Sequence, residues 1–217
     1  DRVALAVSDN GSPDRTPEVV RRFREAGLPV EYFRQERNLG INPNLCQACE
    51  MVRGRHGWLL GDDELLDERA LERVLALLDA HQPGLLLAYD TRYRLGLATP
   101  AVFPDYRAFA RACAAANPGA LTEQTLLSTN IFRADCYDAP FARANLATDF
   151  PHMFGIIRPL QRAAAPVVLA GEPILTTRED RPPPPDGKWV PIDQKWIGYL
   201  TWLRDELQLP ELDPFAP

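Results

Sequence analysis

Four short apolar runs, VALAVS (Val3 to Ser8), VEYFRQ (Val30 to Gln35), HGWLLG (residues 56–61) and GLLLAYD (residues 84–90), alternate with segments of helical pattern. Strands separated by helices of about ten or more residues imply crossover connections, hence an α/β fold with a mainly parallel sheet flanked by helices. Thr16 is placed to cap the first helix, Pro17 suits its first turn and Gly27 ends it. Asn42 and Pro43 open a second helix that runs to Arg53 and stops at Gly54. The third, ERALERVLALLDAH, sets Leu71, Val74, Leu75 and Leu78 on one face. In such sheets ligands bind beyond the carboxyl ends of the strands, so the loops to watch are SDNGSPD, RNLGIN, GDDELLD and YDTRYR.

Beyond residue 95 the alternation weakens: a helix near PDYRAFARACAAA, a strand in LLSTNIF, a helix in FPHMFGIIRPLQRA, then PVVLA and PILTT. These read as the second half of one domain over residues 1–180. Residues 181–217 add a stiff proline linker, RPPPPDG, and a peripheral helix, IDQKWIGYLTWLRDEL. Trp189, Trp196 and Trp202 lie in this tail, where Trp196, Tyr199 and Leu203 recur at helical spacing and so read as packing residues.

A chain of 217 residues with 46% hydrophobic residues can bury one substantial core. The net charge of −6 argues against a nucleic-acid binder, which needs a basic face. No apolar run approaches the roughly 20 residues of a membrane span, and the N-terminus lacks a secretory pattern, so a soluble, cytoplasmic chain is expected. The four cysteines are too few for a disulfide scaffold, and CQAC (Cys46, Cys49) falls within a helix without a second pair for zinc, so helix packing is its expected role.

The stretch GWLLGDDELLD sets Asp62 and Asp63 directly after an apolar strand. Crowded carboxylates repel one another, and a divalent cation relieves that repulsion. Oxygen ligands of this kind suit magnesium or manganese, completed by water and substrate phosphate. Acidic residues ahead of a helix also favour its dipole, which accounts for Asp67 and Glu68 better than for Asp62 and Asp63. Asp9 and Asn10, at the end of the first strand, fit a turn and equally a contact to a base or ribose.

VSDNGSPDRTPEVVRRF and VEYFRQERNLGINPNLCQACEMVRGRHGWLLGDDELL resemble the nucleotide-binding half of family 2 glycosyltransferases, which have the GT-A fold. The Asp-rich turn with Gly-Ser, the Asn-Leu-Gly loop and the acidic DXD-type metal motif occur in order over residues 3–67. The resemblance implies a nucleotide-binding half (residues 1–95), an acceptor half (96–180), and sugar transfer from a nucleotide diphosphate sugar to an acceptor hydroxyl with inversion. It places Asp9 and Asn10 at the nucleotide base, Asp62 at the ribose and donor sugar, and Asp63 on a divalent metal, manganese or magnesium. ANLATDFPHMFGIIRPL matches the region of the family's general base, which makes Asp149 the candidate and His152 a neighbour for phosphate or metal. Asp149 is equally placed to cap the helix that Pro151 begins, and His152 to be structural. TEQTLLSTNIFRADCY resembles the acceptor rim, with Glu123, Gln124, Ser128 and Asn130 as contacts and Arg133 as a phosphate partner; a polar strand edge is the alternative. Family members begin with one more strand and helix, so the first strand and helix are expected to be missing here. Two other functions share these features: a nucleotidyltransferase acting on a sugar phosphate, which would carry a glycine-rich basic loop, and a non-catalytic GT-A-like binding domain.

Overall fold

The computed structural model describes residues 2–88, 97, 99–116, 120–177 and 192–213. Strand Leu5–Asp9 (β1) pairs in parallel with Val30–Arg34 (β2), and helix Thr16–Glu25 (α1) makes the crossover. Helix Ile41–Glu50 (α2) leads to strand His56–Trp58 (β3), followed by Glu64–Leu66 (β4), helix Ala70–His81 (α3) and Leu85–Leu87 (β5). The second half carries Ala101–Phe103 (β6), Tyr106–Ala116 (α4), Ala120–Glu123 (α5), Asn130–Arg133 (β7), Ala139–Ala144 (α6) and Pro151–Ala163 (α7). Val167–Leu169 (β8), Leu175–Thr177 (β9) and Ile192–Leu207 (α8) complete it. The loop YDTRYR and the proline run lie outside the described residues, as does Trp189.

The central sheet has the strand order β3, β7, β5, β8, β6. As expected for this α/β architecture, β3, β5 and β8 run in a common direction. β7 and β6 run against them, so β5 and β8 are the parallel neighbours of this sheet. The acidic stretch is not a loop throughout, because Glu64 opens β4, which pairs antiparallel with β9. β1 and β2 form a separate two-stranded sheet, with no ladder to β3 among the described residues. Leu5, Val19 and Phe23 are exposed along it. They border an apolar groove of about 510 Å³.

Burial follows the two-residue period of the strands. Leu85 and Leu87 face a layer that includes Tyr106, Phe109, Met153, Ile156, Ile157 and Leu203 from α4, α7 and α8. Leu86 points the other way, onto Val74 and Leu78 of α3. Each of these three leucines is at most 2% exposed, and burial of one such side chain stabilises the fold by about 1.5–3 kcal/mol. Val167 and Leu169 repeat the pattern on β8, with Val168 opposed.

Several local expectations change. α1 is capped from outside: Asp14 Oδ1 accepts bonds from the amide and hydroxyl of Thr16 at 2.9 and 2.6 Å, and Thr16 is itself the first helical residue. α2 ends at Glu50, three residues before Arg53. On α3 the buried row is Ala70, Val74 and Leu78, while Leu71 is 44% exposed, because only the face toward the sheet is covered. The C-terminal helix is not peripheral. Tyr199, Leu203 and Leu207 are buried in the main core, and Trp202 stacks on Phe154 with ring centroids 4.1 Å apart. Cys46 and Cys49 are free, buried thiols whose pKa values burial pushes up, which suits packing and not redox chemistry. Among the described residues no helix is long and apolar enough to cross a membrane.

Gly155 is where α7 meets α6. A Cβ there would lie 2.7 Å from Tyr137 Cε2 and 2.9 Å from Ala142 Cβ. Helix propensity favours alanine by up to about 1 kcal/mol, but overpacking costs about 1–3 kcal/mol. Gly155→Ala is therefore expected to lower the urea midpoint; an unchanged or raised midpoint would show that the contact yields.

Candidate active site

At the carboxyl end of β1, Asp9 has a fully buried side chain. Its Oδ1 accepts the Ser12 amide at 2.7 Å and its Oδ2 the Tyr32 hydroxyl at 2.5 Å, with Arg34 Nε 3.7 Å away. Burial alone would raise its pKa. The Tyr32 and Ser12 bonds and the Arg34 charge outweigh it and hold the carboxyl below the ordinary aspartate value. Asn10 reaches across to the loop after β2: its Nδ2 donates to Asn38 Oδ1 and to the Gly40 carbonyl, both at 2.9 Å, while its Oδ1 accepts the Leu39 amide at 3.0 Å. Gly11 allows this approach, since φ is +72° and a Cβ would meet the Arg37 carbonyl carbon at 2.7 Å. Asn10 thus stitches SDNGSPD to RNLGIN, while Asp9 ties the same loop to β2. In the described structure their side chains serve the turn, and a base or ribose would meet the surface that they shape.

The first turn of α2 continues the seam. Asn44 accepts the Ser8 hydroxyl at 2.8 Å and donates to the Ser8 carbonyl at 3.1 Å. Asn42, read from sequence only as a helix opener, donates to carbonyls of the loop just before Asp149. Tyr32, Asn38, Asn42 and Asn44 are the site residues that sequence reasoning missed. The hint was present in RNLGINPN, where three asparagines surround one glycine.

Beyond β3 the chain turns through Asp62 and Asp63, exposed and half-buried respectively, before β4 begins. Gly61 makes room for the second carboxylate, because a Cβ at that position would lie 2.7 Å from Asp63 Oδ1. Asp67 serves α3 as expected: its carboxylate accepts the Arg69 amide at 3.0 Å and pairs with Arg73 at 3.2 Å. Glu68 is exposed.

The direction of β7 sorts the acceptor-side candidates. Asn130 stands opposite Leu87, at the carboxyl end of β5, and the Ser128 carbonyl accepts the Trp58 indole N–H at 2.8 Å. Arg133 stands opposite His56, at the start of β3, and pairs with Asp135 at 2.5 Å. The antiparallel course of β7 therefore sets Arg133 at the start of β3, opposite to the end that leads to Asp63, where it is paired with Asp135. Gln124 is 1% exposed, with its Oε1 accepting the Tyr106 hydroxyl at 2.6 Å. Asn130 is wholly buried, its Nδ2 donating to the Gln124 and Leu126 carbonyls, both at 2.8 Å. Glu123 ends α5, and its side chain lies outside the described residues.

Asp149 is half-buried ahead of α7. The N-cap position belongs to Phe150, one residue later than capping by Asp149 requires. His152 sits in the first turn of α7 at 1% exposure, and burial pushes its pKa down to about 4, so its imidazole is neutral. Among the described residues neither ring nitrogen makes a hydrogen bond of good geometry, and the Thr125 backbone is the polar group that acts on the ring. Among the described residues no three His, Cys, Asp or Glu side chains form a group that could hold a metal by themselves.

The family model "Glycosyl transferase family 2" matches residues 1–110, about half of the chain. The chain belongs to glycosyl transferase family 2. The abequosyltransferase RfbV of Salmonella typhimurium is 29% identical over 79 residues, which cover 36% of this chain and 24% of that protein. Among solved structures, TarS 1-349 of S. aureus with UDP-GlcNAc superposes with a TM-score of 0.63 at 14% identity, over 94% of this chain and 57% of TarS. The mannosyltransferase PcManGT of Pyrobaculum calidifontis with GDP-Man and Mn2+ gives a TM-score of 0.50 at 14% identity, over 99% of this chain and 56% of that one. The fold of this family 2 chain is GT-A. The chain spans under a quarter of RfbV and just over half of the two structural neighbours.

Because the native pKa of Asp9 is lowered, its charged form adds stability above the unfolded value of about 3.9, and that contribution fades as pH falls through the native pKa. Asp9→Asn is expected to lose about 1–3 kcal/mol at pH 7. In denaturant titrations from pH 7 to 2 the gap to the parent should narrow in acid; a gap that stays constant would remove the charge from the explanation.

Proposed function

We propose that the chain transfers a sugar from a nucleoside diphosphate sugar to an acceptor hydroxyl, with inversion and with help from a divalent metal. The observation that carries this is the junction after β3, where Gly61 leaves space for the Asp63 carboxylate at the crevice end of the sheet. Family membership and the stitched loops at the carboxyl ends of β1 and β2 support a nucleotide-sugar donor. TarS is solved with UDP-GlcNAc and PcManGT with GDP-Man, which supports the same class of donor here, and RfbV is named as a sugar transferase. A nucleotidyltransferase is disfavoured, since the loop from Ser8 to Arg15 has a single glycine and no lysine to hold a triphosphate.

The Asp63 carboxylate is of the donor type that suits magnesium or manganese. Such ions take one or two protein ligands and complete their shell with water and phosphate oxygens. In our reading Asp63 supplies the carboxylate, and His152, a buried neutral imidazole, a second ligand of a kind that manganese accepts more readily than magnesium. The bound ion would offset the negative charge that grows on the leaving diphosphate.

Asp62 is assigned to the ribose and donor sugar, and Gln124 with Glu123 to the acceptor side. Asp149 is assigned as general base: its carboxylate takes the acceptor hydroxyl proton as that oxygen attacks the anomeric carbon from the face opposite the diphosphate. Single displacement inverts the anomeric centre.

Transfer is testable as metal-dependent release of UDP or GDP from candidate donors. Asp63→Ala should reduce it by on the order of a hundredfold or more with the thermal midpoint unchanged. Asp149→Asn should reduce turnover by on the order of a hundredfold while donor binding persists. Unchanged release in the Asp63 variant would end the assignment of that carboxylate to the metal.

A further inference from the structure

Asn42 and Asn44 lie two residues apart in the first turn of α2 and bond in different directions. Asn44 holds Ser8, the residue before Asp9, through two hydrogen bonds of 2.8 and 3.1 Å. Asn42 Nδ2 donates to the Leu146 carbonyl at 3.0 Å and to the Thr148 carbonyl at 2.6 Å, more than 100 residues away in sequence. Both carbonyls belong to the turn that runs directly into Asp149.

That turn is organised around Asn145. The Thr148 amide and hydroxyl both donate to the Asn145 carbonyl, at 2.9 and 2.6 Å, and the Asn145 amide group donates to the Phe141 carbonyl at 2.8 Å. These bonds shape the turn but are internal to it and to α6. Asn42 ties it to the other half of the fold. Lower on α2, Glu50 pairs with Arg143 near the C-terminal end of α6 at 2.6 and 2.8 Å, a second tie between the two helices. That ion pair is partly exposed, at 42% for Arg143 and 27% for Glu50, and is worth little by itself. The Asn42 bonds sit where the register of the Asp149 turn is decided.

We infer that Asn42 is a positioning residue that holds the Asp149 turn in register with the loop after β1, so that the donor side and the base side of the site move as one body. The inference rests on the functional reading above for its catalytic consequence, although the clamp itself is geometric. Misplacing a reacting group by about 1 Å can cut the rate by on the order of a hundredfold without changing what binds. The effect of losing the clamp therefore falls on turnover.

The test uses the whole chain with Asn42→Asp and Asn42→Ala. The aspartate keeps the size of asparagine and removes the N–H donors, so it separates donation from space filling and guards against an alanine variant that folds poorly. Hydrogen exchange is followed on peptides covering residues 145–150, without nucleotide and with UDP or GDP plus Mn2+. Both variants should exchange there at least tenfold faster than the parent, with α7 beyond its first turn unchanged. Turnover should fall about tenfold or more, with KM for the donor within about twofold. Parental exchange in both variants overturns the clamp. Faster exchange with parental turnover overturns its role in positioning. A parent that binds neither nucleotide and shows no transfer overturns the functional reading, and the catalytic role of Asn42 with it, while the nucleotide-free exchange still reports on the clamp.

Discussion

The site depends on how the small β1–β2 sheet is attached to the rest of the molecule. No backbone ladder joins it to the five-stranded sheet among the described residues, so the attachment is made by side chains, at the first turn of α2 and in the exposed Arg2–Asp79 and Glu31–Arg53 pairs, and by the packing of α2. Each neutral hydrogen bond of this kind contributes only about 0.5–1.5 kcal/mol. Their value lies in direction. Ser8 with Asn44 holds β1 to α2, Asn10 with Asn38 holds the loop after β1 to the loop after β2, and Asn42 holds the first turn of α2 to the turn before Asp149. A hydrophobic contact of the same strength would hold these parts together without setting their register.

The five-stranded sheet supplies the rigid part. Leu85, Leu86 and Leu87 bury both faces of β5, so the strand that ends beside Asn130 has little freedom to shift. β3 is tied to the same frame through its β7 pairing and through Trp58, whose N–H is taken by the Ser128 carbonyl. Asp62 and Asp63 follow immediately. The carboxylates thus stand on a short turn between β3 and β4 whose base is fixed by a buried ladder, and the same frame carries α7 and its His152 into the core.

Much of this was legible in the sequence, for identifiable reasons. Strand and helix periods differ, so the βαβ alternation to residue 88 shows in the hydrophobic pattern, and with it the carboxyl-end position of Asp9, Asp62 and Asp63. The direction of a strand leaves no such trace. LLSTNIFR reads the same whether β7 runs with or against β3, and that choice decides that Asn130 reaches the crevice end and Arg133 does not. Tertiary hydrogen bonds were equally hidden. Asp9 reads as a turn residue or a ligand contact, and only the fold brings Tyr32 and Arg34 from the neighbouring strand to occupy it. For α8 the helical spacing of Trp196, Tyr199 and Leu203 correctly suggested packing, but the preceding prolines suggested a peripheral helix where the core in fact needs it.

The central claim is that Asp63 and the stitched loops after β1 and β2 form one donor site facing Asp149. A crystal structure of the chain with UDP or GDP and Mn2+, with the metal located by its anomalous scattering, addresses this most directly. The account predicts manganese about 2 Å from an Asp63 carboxylate oxygen, the diphosphate on its far side, and the nucleoside along the Asn10–Asn38 seam. Manganese and nucleotide bound away from Asp63, with that carboxylate making no contact to either, would contradict it.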